Sequence, residues 1–139
     1  MLQYDTDMEV RLMFTFNHFN FNVKDLDTSL KFYQDALGLK EISRNETEDF
    51  IIVFLGDGHT GFRLELTWLR DRKEPYDLGE QEYHLAMTTD NYEEAHAWHE
   101  KNHWIVFENP KMGIYFLEDP DGYWIEIVRD GSYMEEHTR

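Results

Sequence analysis

The stretch FNHFNFNVKDLDTSLKFYQDALG, residues 16–38, changes its hydrophobic period halfway along. Its first part alternates polar and apolar side chains, which is typical of a strand. In its second part apolar side chains recur every three or four residues and form one stripe of a helix. Asp25 or Asp27 can cap that helix, and Gly38 can end it in a left-handed conformation. The stretch therefore predicts a strand followed directly by a helix.

The rest of the chain continues this order and then repeats it. The predicted strands are at residues 14–23, 40–44, 50–55 and 61–68, and again at 83–89, 105–108, 113–117 and 123–129. Asn91 can cap a second helix. His18 and His84 are 66 positions apart (84 minus 18), and so are Leu26 and Tyr92 (92 minus 26). We therefore predict an α+β protein of two βαβββ modules, residues 14–69 and 81–130, with a linker at 70–80, an extension at 1–13 and a tail at 131–139.

Composition excludes several classes of function. The 139 residues include no cysteine, so disulfides and thiolate catalysis are excluded and any metal must take nitrogen or oxygen ligands. A net charge of −16 repels phosphate backbones and anionic lipid surfaces, so neither nucleic acid nor membrane is an expected partner. The sequence has no transmembrane-length apolar run, and its first residues do not resemble a signal peptide. We therefore expect a cytoplasmic protein.

Four residues at equivalent points of the two modules carry metal-binding groups. His18 opens the first strand and Glu65 lies in the last strand of that module, and His84 and Glu126 repeat this arrangement. Alternation places each Glu on the face of its strand opposite the apolar side that a helix would cover. A single His or Glu in a strand is usually structural, but the repeated placement favours one shared metal site. Two imidazoles and two carboxylates suit a borderline divalent ion such as Ni, Co, Zn, Mn or Fe.

Such a ligand set indicates a particular chemistry. Four protein ligands leave two positions on an octahedral ion, where a substrate can chelate through two oxygens. The ion then acts as a Lewis acid on a carbonyl. A carboxylate beside it can move a proton between neighbouring carbons.

Four stretches carry a family resemblance over residues 14–129. They are NFNVKDLDTSLKFYQDALGL after His18, LELTW around Glu65, YHLAM at His84 and KMGIYFLEDPDGYWIEIV around Glu126. These stretches resemble the glyoxalase I (lactoylglutathione lyase) family, in the vicinal oxygen chelate superfamily of glyoxalases, bleomycin resistance proteins and dioxygenases. The last stretch is the most specific, because EDPDGYWIEI closely resembles the family's terminal signature. The resemblance implies two βαβββ modules that form a cupped mixed sheet.

The resemblance also implies ligands, a reaction and an assembly. His18, Glu65, His84 and Glu126 match the four ligand positions of the family, with one divalent metal per site. Short bacterial members with His at the first position favour nickel or cobalt, although zinc also fits the ligands. The sites often lie between the subunits of a homodimer.

The implied reaction is an isomerisation of a small-molecule substrate. The family converts the hemithioacetal of a 2-oxoaldehyde, typically methylglyoxal with a thiol, to an S-2-hydroxyacyl thioester. By this analogy Glu126 is the base that takes the C1 proton. Glu65 is its pseudo-symmetric partner, which helps to return the proton to C2.

Substrate positions depart from the family pattern. Asn22, Leu69 and Glu80 stand where the family usually has an Arg, an Asn and often a basic residue that help to hold glutathione. The sequence therefore leaves the thiol cosubstrate open.

Three further residues are candidates for substrate binding. Lys111 matches a family lysine near the glutathione site, and Arg63 is predicted on the cup face. We hypothesise that both bind the anionic end of a different thiol adduct. The alternative of equal weight pairs Arg63 with a ligand carboxylate, because buried charges are normally paired. Trp124 shares the face of Glu126, where it either lines the pocket or packs at a dimer interface.

Three other functions are possible for the same fold. A metal-dependent acyl-thioester epimerase would use the same ligands but would need a cationic rim for a nucleotide tail. A ring-cleaving dioxygenase needs two His and only one carboxylate. A non-enzymatic drug-binding protein does not need all four metal ligands.

His96, His99 and His103 are spaced by three and four, which we interpret as a solvent-exposed helix face rather than a metal site.

Overall fold

The computed structural model describes residues 12–131, and its elements follow the predicted order. The first module contains β1 His18–Asn22, α1 Leu26–Leu37, β2 Lys40–Glu46, β3 Phe50–Gly56 and β4 Arg63–Leu69. The second contains β5 Leu85–Thr89, α2 Tyr92–Lys101, β6 Ile105–Asn109, β7 Ile114–Glu118 and β8 Trp124–Arg129. Of the predicted extension and tail, residues 1–11 and 132–139 lie outside the described residues.

Each module forms its own mixed four-stranded sheet. The strand orders are β1-β4-β3-β2 and β5-β8-β7-β6, in which β1 pairs parallel with β4 and β5 with β8, while the other pairs are antiparallel. Both modules also have a register shift in their second strand, at Ile42 in β2 and Val106 in β6. The predicted α+β fold of two βαβββ modules is confirmed, and the duplication extends to the position of a β-bulge.

Local capping explains where the first helix starts and stops. Of the two candidate caps, Asp25 is the one used, because its Oδ1 accepts a hydrogen bond from the amide of Thr28 at 3.1 Å. Gly38 ends the helix with φ of 68°, a left-handed conformation that glycine adopts without steric cost. The strand boundaries are less well predicted: β1 begins at His18 rather than at residue 14, and His84 lies just before β5.

The two modules share a single hydrophobic core. Residues on the inner faces of both sheets, such as Leu66 and Ile125, belong to one buried cluster together with the apolar side of α1. The rings of Phe21 and Tyr123 stack across the module boundary with centroids 4.0 Å apart. Both sheets therefore turn their inner faces towards this core, and their outer faces point away from it.

The DPDG turn joins the modules through buried polar bonds. The carboxylate of Asp119 accepts hydrogen bonds from the hydroxyl of Tyr33 at 2.6 Å and from the amides of Asp121 and Tyr123 at 2.9 Å. Burial outweighs these donors and raises the pKa of Asp119 to about 6. The most specific sequence motif thus has a structural role, because it anchors the last strand to α1.

The interpretation of the three histidines as an exposed helix face is wrong for His99. This side chain is only 3% exposed; its Nε2 donates to the carbonyl of Ala36 at 2.6 Å and its Nδ1 accepts from the Tyr115 hydroxyl at 2.7 Å. His103 lies beyond the end of α2, with φ of 60°. Periodicity did not reveal this because α1, which covers His99, comes from the other module.

His99 should make the stability of the protein depend on pH. Burial lowers the pKa of His99, with a smaller contribution in the same direction from His96. An unfolded histidine titrates near about pH 6.5. As pH falls below that value, the unfolded chain takes up a proton that the folded chain resists. The contribution of His99 to the free energy of unfolding is therefore fully present above about pH 6.5. It decreases as pH falls towards the lowered pKa of His99, by at most about 1.4 kcal/mol per pH unit.

Urea unfolding at fixed protein concentration checks this expectation. The difference in unfolding free energy between the wild type and His99→Gln should shrink from about pH 7.5 to about pH 5.5. The control variant Asn45→Ala, on the exposed strand β2, removes no titratable group and should differ from the wild type by a constant amount. A constant difference for His99→Gln as well would contradict the role of the buried ring.

Candidate metal centre

The first predicted ligand pair lies on the outer face of the first sheet. Leu64 and Leu66 point into the core, so Glu65 between them points outwards. The Nε2 atom of His18 lies 3.6 Å from Oε1 of Glu65. The His18 side chain is 37% exposed and that of Glu65 only 16% exposed, so the pair is open to solvent mainly through the imidazole.

A neighbouring amide selects the tautomer of the first imidazole. Arg63 donates from Nη2 to Oδ1 of Asn17 at 2.8 Å. An arginine can only donate, so the atom that faces it must be the amide oxygen. The same oxygen contacts Nδ1 of His18, which must therefore carry the proton. In the neutral form of the ring this tautomer leaves the lone pair on Nε2, the nitrogen that faces Glu65 and that a metal ion would bind.

The second predicted pair repeats this arrangement on the other sheet. Ile125 and Ile127 are buried, and Glu126 between them points outwards. Its Oε1 lies 3.0 Å from Nε2 of His84. Glu126 is 12% exposed and His84 is 41% exposed, close to the values for the first pair.

Each His–Glu pair forms one half-site, and each half-site includes a phenylalanine that sequence analysis missed. Phe54 is the strand partner of Glu65, and its ring meets the edge of His18 with centroids 5.3 Å apart. Phe116 is the partner of Glu126 and meets His84 at 5.1 Å in the same way. Phe54 lies 11 positions before Glu65 and Phe116 lies 10 positions before Glu126, so spacing along the sequence does not reveal their equivalence, and only the strand pairing does.

The four side chains do not meet within one chain. Each pair lies on the outer face of its own sheet, and the two inner faces share the core. Among residues 12–131, one group of three potential ligands has its donor atoms within 4.8 Å of one another, and it lies elsewhere. Any common site for the quartet therefore needs a second chain.

The ligand pairs nevertheless suit a cation. Both glutamates are largely buried, and within the described chain neither forms a salt bridge with Lys or Arg. A buried carboxylate without a cationic partner is costly. Imidazole nitrogens and carboxylate oxygens are the ligands of borderline divalent ions. The donor set therefore fits a metal ion shared between two such pairs.

The predicted substrate residues occupy different surroundings. Arg63 bonds Asn17 and lies over the Phe54 ring at 4.4 Å, rather than pairing with a carboxylate. Trp124 lies on the outer face of β8, where its ring is 5.3 Å from that of Phe116. Lys111 is exposed in the turn between β6 and β7. Leu69 and Glu80 are also exposed, and Asn22 accepts a hydrogen bond from Asn20 at 2.8 Å.

Comparisons with known proteins identify the family. A model of the Glyoxalase/Bleomycin resistance protein/Dioxygenase superfamily matches residues 15–127. The chain therefore belongs to this superfamily, and the resemblance predicted from sequence is confirmed.

Individual relatives are more specific. The chain is 35% identical to the lactoylglutathione lyase of Haemophilus influenzae over 127 residues, which cover 83% of this chain and 92% of the relative. Its fold matches the trypanothione-dependent glyoxalase I of Leishmania major with a TM-score of 0.78 and 30% identity, over 90% of this chain and 93% of that one. An antibiotic binding protein from Streptomyces sp. CB03234 matches with a TM-score of 0.64 and 16% identity, over 84% of this chain and 96% of that one, which shows a common fold alone.

Replacing Asn17 by Ala should weaken metal binding without unfolding the protein. The substitution removes the oxygen that holds the His18 tautomer, and the loss of such a supporting contact typically costs about 10- to 100-fold in metal affinity. Competition of the protein with a chromophoric chelator for Ni²⁺ measures the change. Asn45→Ala on the exposed strand β2 is the control and should bind as the wild type does. Equal affinities for all three proteins would show that Asn17 does not set the tautomer.

Proposed function

We propose that the protein is a metal-dependent lyase of the glyoxalase I type. It isomerises the hemithioacetal of methylglyoxal, or of another 2-oxoaldehyde, with a thiol to an S-2-hydroxyacyl thioester. The observation that carries this proposal is the pair of equivalent His–Glu half-sites, each with its glutamate largely buried and backed by a phenylalanine. The name of the Haemophilus influenzae relative supports the same reaction.

In this proposal His18, Glu65, His84 and Glu126 hold one divalent ion per site. Nickel or cobalt is favoured, and zinc also suits the ligands. When bound, the ion would supply Lewis-acid stabilisation of negative charge on the substrate oxygens.

The protein's own groups carry the proton. Glu126 takes the proton from C1, and a proton is returned to C2 with the help of Glu65, so the product has the same atoms as the substrate. Within the described residues, His84 is the only hydrogen-bond partner of the Glu126 side chain. Its second oxygen is therefore available to the substrate. Trp124 lines the site beside Phe116.

The proposed assembly is a homodimer with a site at each end of the interface. The first half-site of one subunit would face the second half-site of the other, because a single chain keeps its half-sites on opposite outer faces. Large apolar side chains are exposed around these faces: Ile42 is 57%, Val106 41% and Phe107 49% exposed. Exposed apolar groups of this kind are typical of an interaction surface.

We propose that the thiol cosubstrate differs from glutathione. Asn22, Leu69 and Glu80 offer no positive charge for the glutathione carboxylates, and Arg63 is held by Asn17 and Phe54. Arg63 and Lys111 remain our candidates for an anionic group of another thiol adduct. Arg63→Leu tests this, since KM for an anionic adduct should rise more than metal content falls.

We also propose a cytoplasmic location. No helix among the described residues 12–131 is long and apolar enough to cross a membrane. The net charge of −16 gives no basis for attraction to anionic lipid or nucleic acid.

A thiol screen with defined metals tests the reaction. Protein treated with a chelator is reloaded with Ni²⁺, Co²⁺ or Zn²⁺ and given methylglyoxal with glutathione, trypanothione or other small thiols. We expect thioester absorbance to appear with at least one thiol and to depend on the added metal. The absence of turnover with every thiol, in protein shown to contain metal, would contradict the proposed function.

A further inference from the structure

A second group of metal-binding side chains lies away from the proposed site. His96 and Glu100 are one helical turn apart on α2, and Glu108 projects from the neighbouring strand β6. One donor atom from each of the three lies within 4.8 Å of the others. The His96 side chain is 25% exposed and that of Glu108 is 43% exposed, so ions can reach the cluster from solution.

The imidazole is held in position by aromatic rings. Tyr92 stacks on His96 with centroids 6.1 Å apart, and the ring of Tyr115 meets it edge-on at 5.0 Å. Nε2 of His96 is thereby directed at Oε1 of Glu108, which it contacts. Glu108 is the strand partner of Tyr115, so the pleat places it on the side of the sheet that faces α2.

Among the described residues, no Lys or Arg side chain neutralises the two carboxylates of this cluster. Glu108 contacts His96, and neither Glu100 nor Glu108 forms a salt bridge with Lys or Arg within residues 12–131. Two carboxylates and one imidazole form a ligand set for a borderline divalent ion, with positions left for water.

The internal duplication provides a built-in comparison. Counted from the paired histidines, the counterparts of His96 and Glu100 in the first module are Leu30 and Gln34, each 66 positions earlier. The strand pairing makes Arg44 the counterpart of Glu108, since both follow the bulge by the same distance. None of the three counterparts is a good metal ligand, and Arg44 instead pairs with Glu41. The ligand set is therefore specific to the second module.

We propose that His96, Glu100 and Glu108 form a second divalent-cation site, which takes a borderline ion such as Zn²⁺ or Ni²⁺. The bound ion would fasten α2 to the edge strand β6. The preceding residue on that strand, Phe107, lies on the opposite face, where its ring stacks on that of Trp124 with centroids 6.5 Å apart. The site therefore lies directly behind the aromatic part of the outer face that carries Glu126.

Counting bound zinc tests the proposal. The full-length protein is stripped with a chelator, dialysed against Zn²⁺ and analysed for zinc per chain. The wild type should bind about one ion per chain more than His96→Gln or Glu108→Gln, because each variant removes one of three ligands. The readout is this difference, so it does not depend on whether the quartet also binds zinc. His103→Gln, which changes an exposed histidine outside the cluster, should bind as much as the wild type.

A second measurement uses only the wild type. In imidazole NMR spectra of the stripped protein, addition of Zn²⁺ should move the His96 ring signals and leave those of His103 in place. Equal zinc content in the wild type and both cluster variants, or His96 signals that do not respond to zinc, would overturn the second site.

Discussion

Glu126→Gln should lower kcat by about 100- to 10,000-fold, because this is the range that general-base catalysis typically contributes. The amide has the shape of the carboxylate and can still contact His84, but it cannot accept the proton from C1. The side chain is only 12% exposed, so water has little room to act in its place. The loss should therefore fall on kcat rather than on folding.

Metal content must be measured together with the rate, since Glu126 is also a proposed ligand. Rates are compared at saturating Ni²⁺, with elemental analysis and circular dichroism of each protein. Glu46→Gln on the exposed strand β2 is the matched control and should keep full activity. Glu65→Gln should lose less activity than Glu126→Gln if Glu126 is the principal base. A Glu126→Gln protein that binds metal and keeps more than about a tenth of the kcat would remove Glu126 from that role.

Hydrophobic period alone was enough to predict the elements of the fold. The alternation around Glu65 and Glu126 correctly gave the face on which each carboxylate lies, because one face of each strand packs against a core. The repeated spacing of His18 and His84 correctly indicated two equivalent modules. These signals depend on residues close together in sequence, so they can be interpreted without knowing how the modules pack.

Features that depend on packing between distant segments could not be predicted in this way. The sequence predicts that His99 is an exposed helix residue, but α1 covers it and the carbonyl of Ala36 accepts a hydrogen bond from its Nε2. Phe54 and Phe116 become part of the half-sites only through antiparallel pairing with the glutamates. The sequence predicts that Arg63 contacts the substrate or a ligand carboxylate, and it gives no indication of the Asn17 amide oxygen to which Arg63 donates a hydrogen bond. In each case the partner comes from another element, and one sequence contains no signal for that contact.

The arrangement of the two half-sites gives the other large expected effect. A variant of the first half-site, His18→Gln with Glu65→Gln, should be inactive, and so should a variant of the second, His84→Gln with Glu126→Gln. If each site combines half-sites from two subunits, every site in either homodimer contains one damaged half. A heterodimer of the two variants contains one site with both halves damaged and one site that is fully wild type.

Mixing the two inactive variants is the most direct test of the shared metal site. The proteins carry different tags, are refolded together, and the heterodimer fraction is measured by native mass spectrometry. Random pairing makes about half of the dimers mixed, each with one intact site of two, so about a quarter of wild-type activity should return. No recovery of activity, in a mixture shown to contain the heterodimer, would contradict a site built from the His–Glu pairs of two subunits.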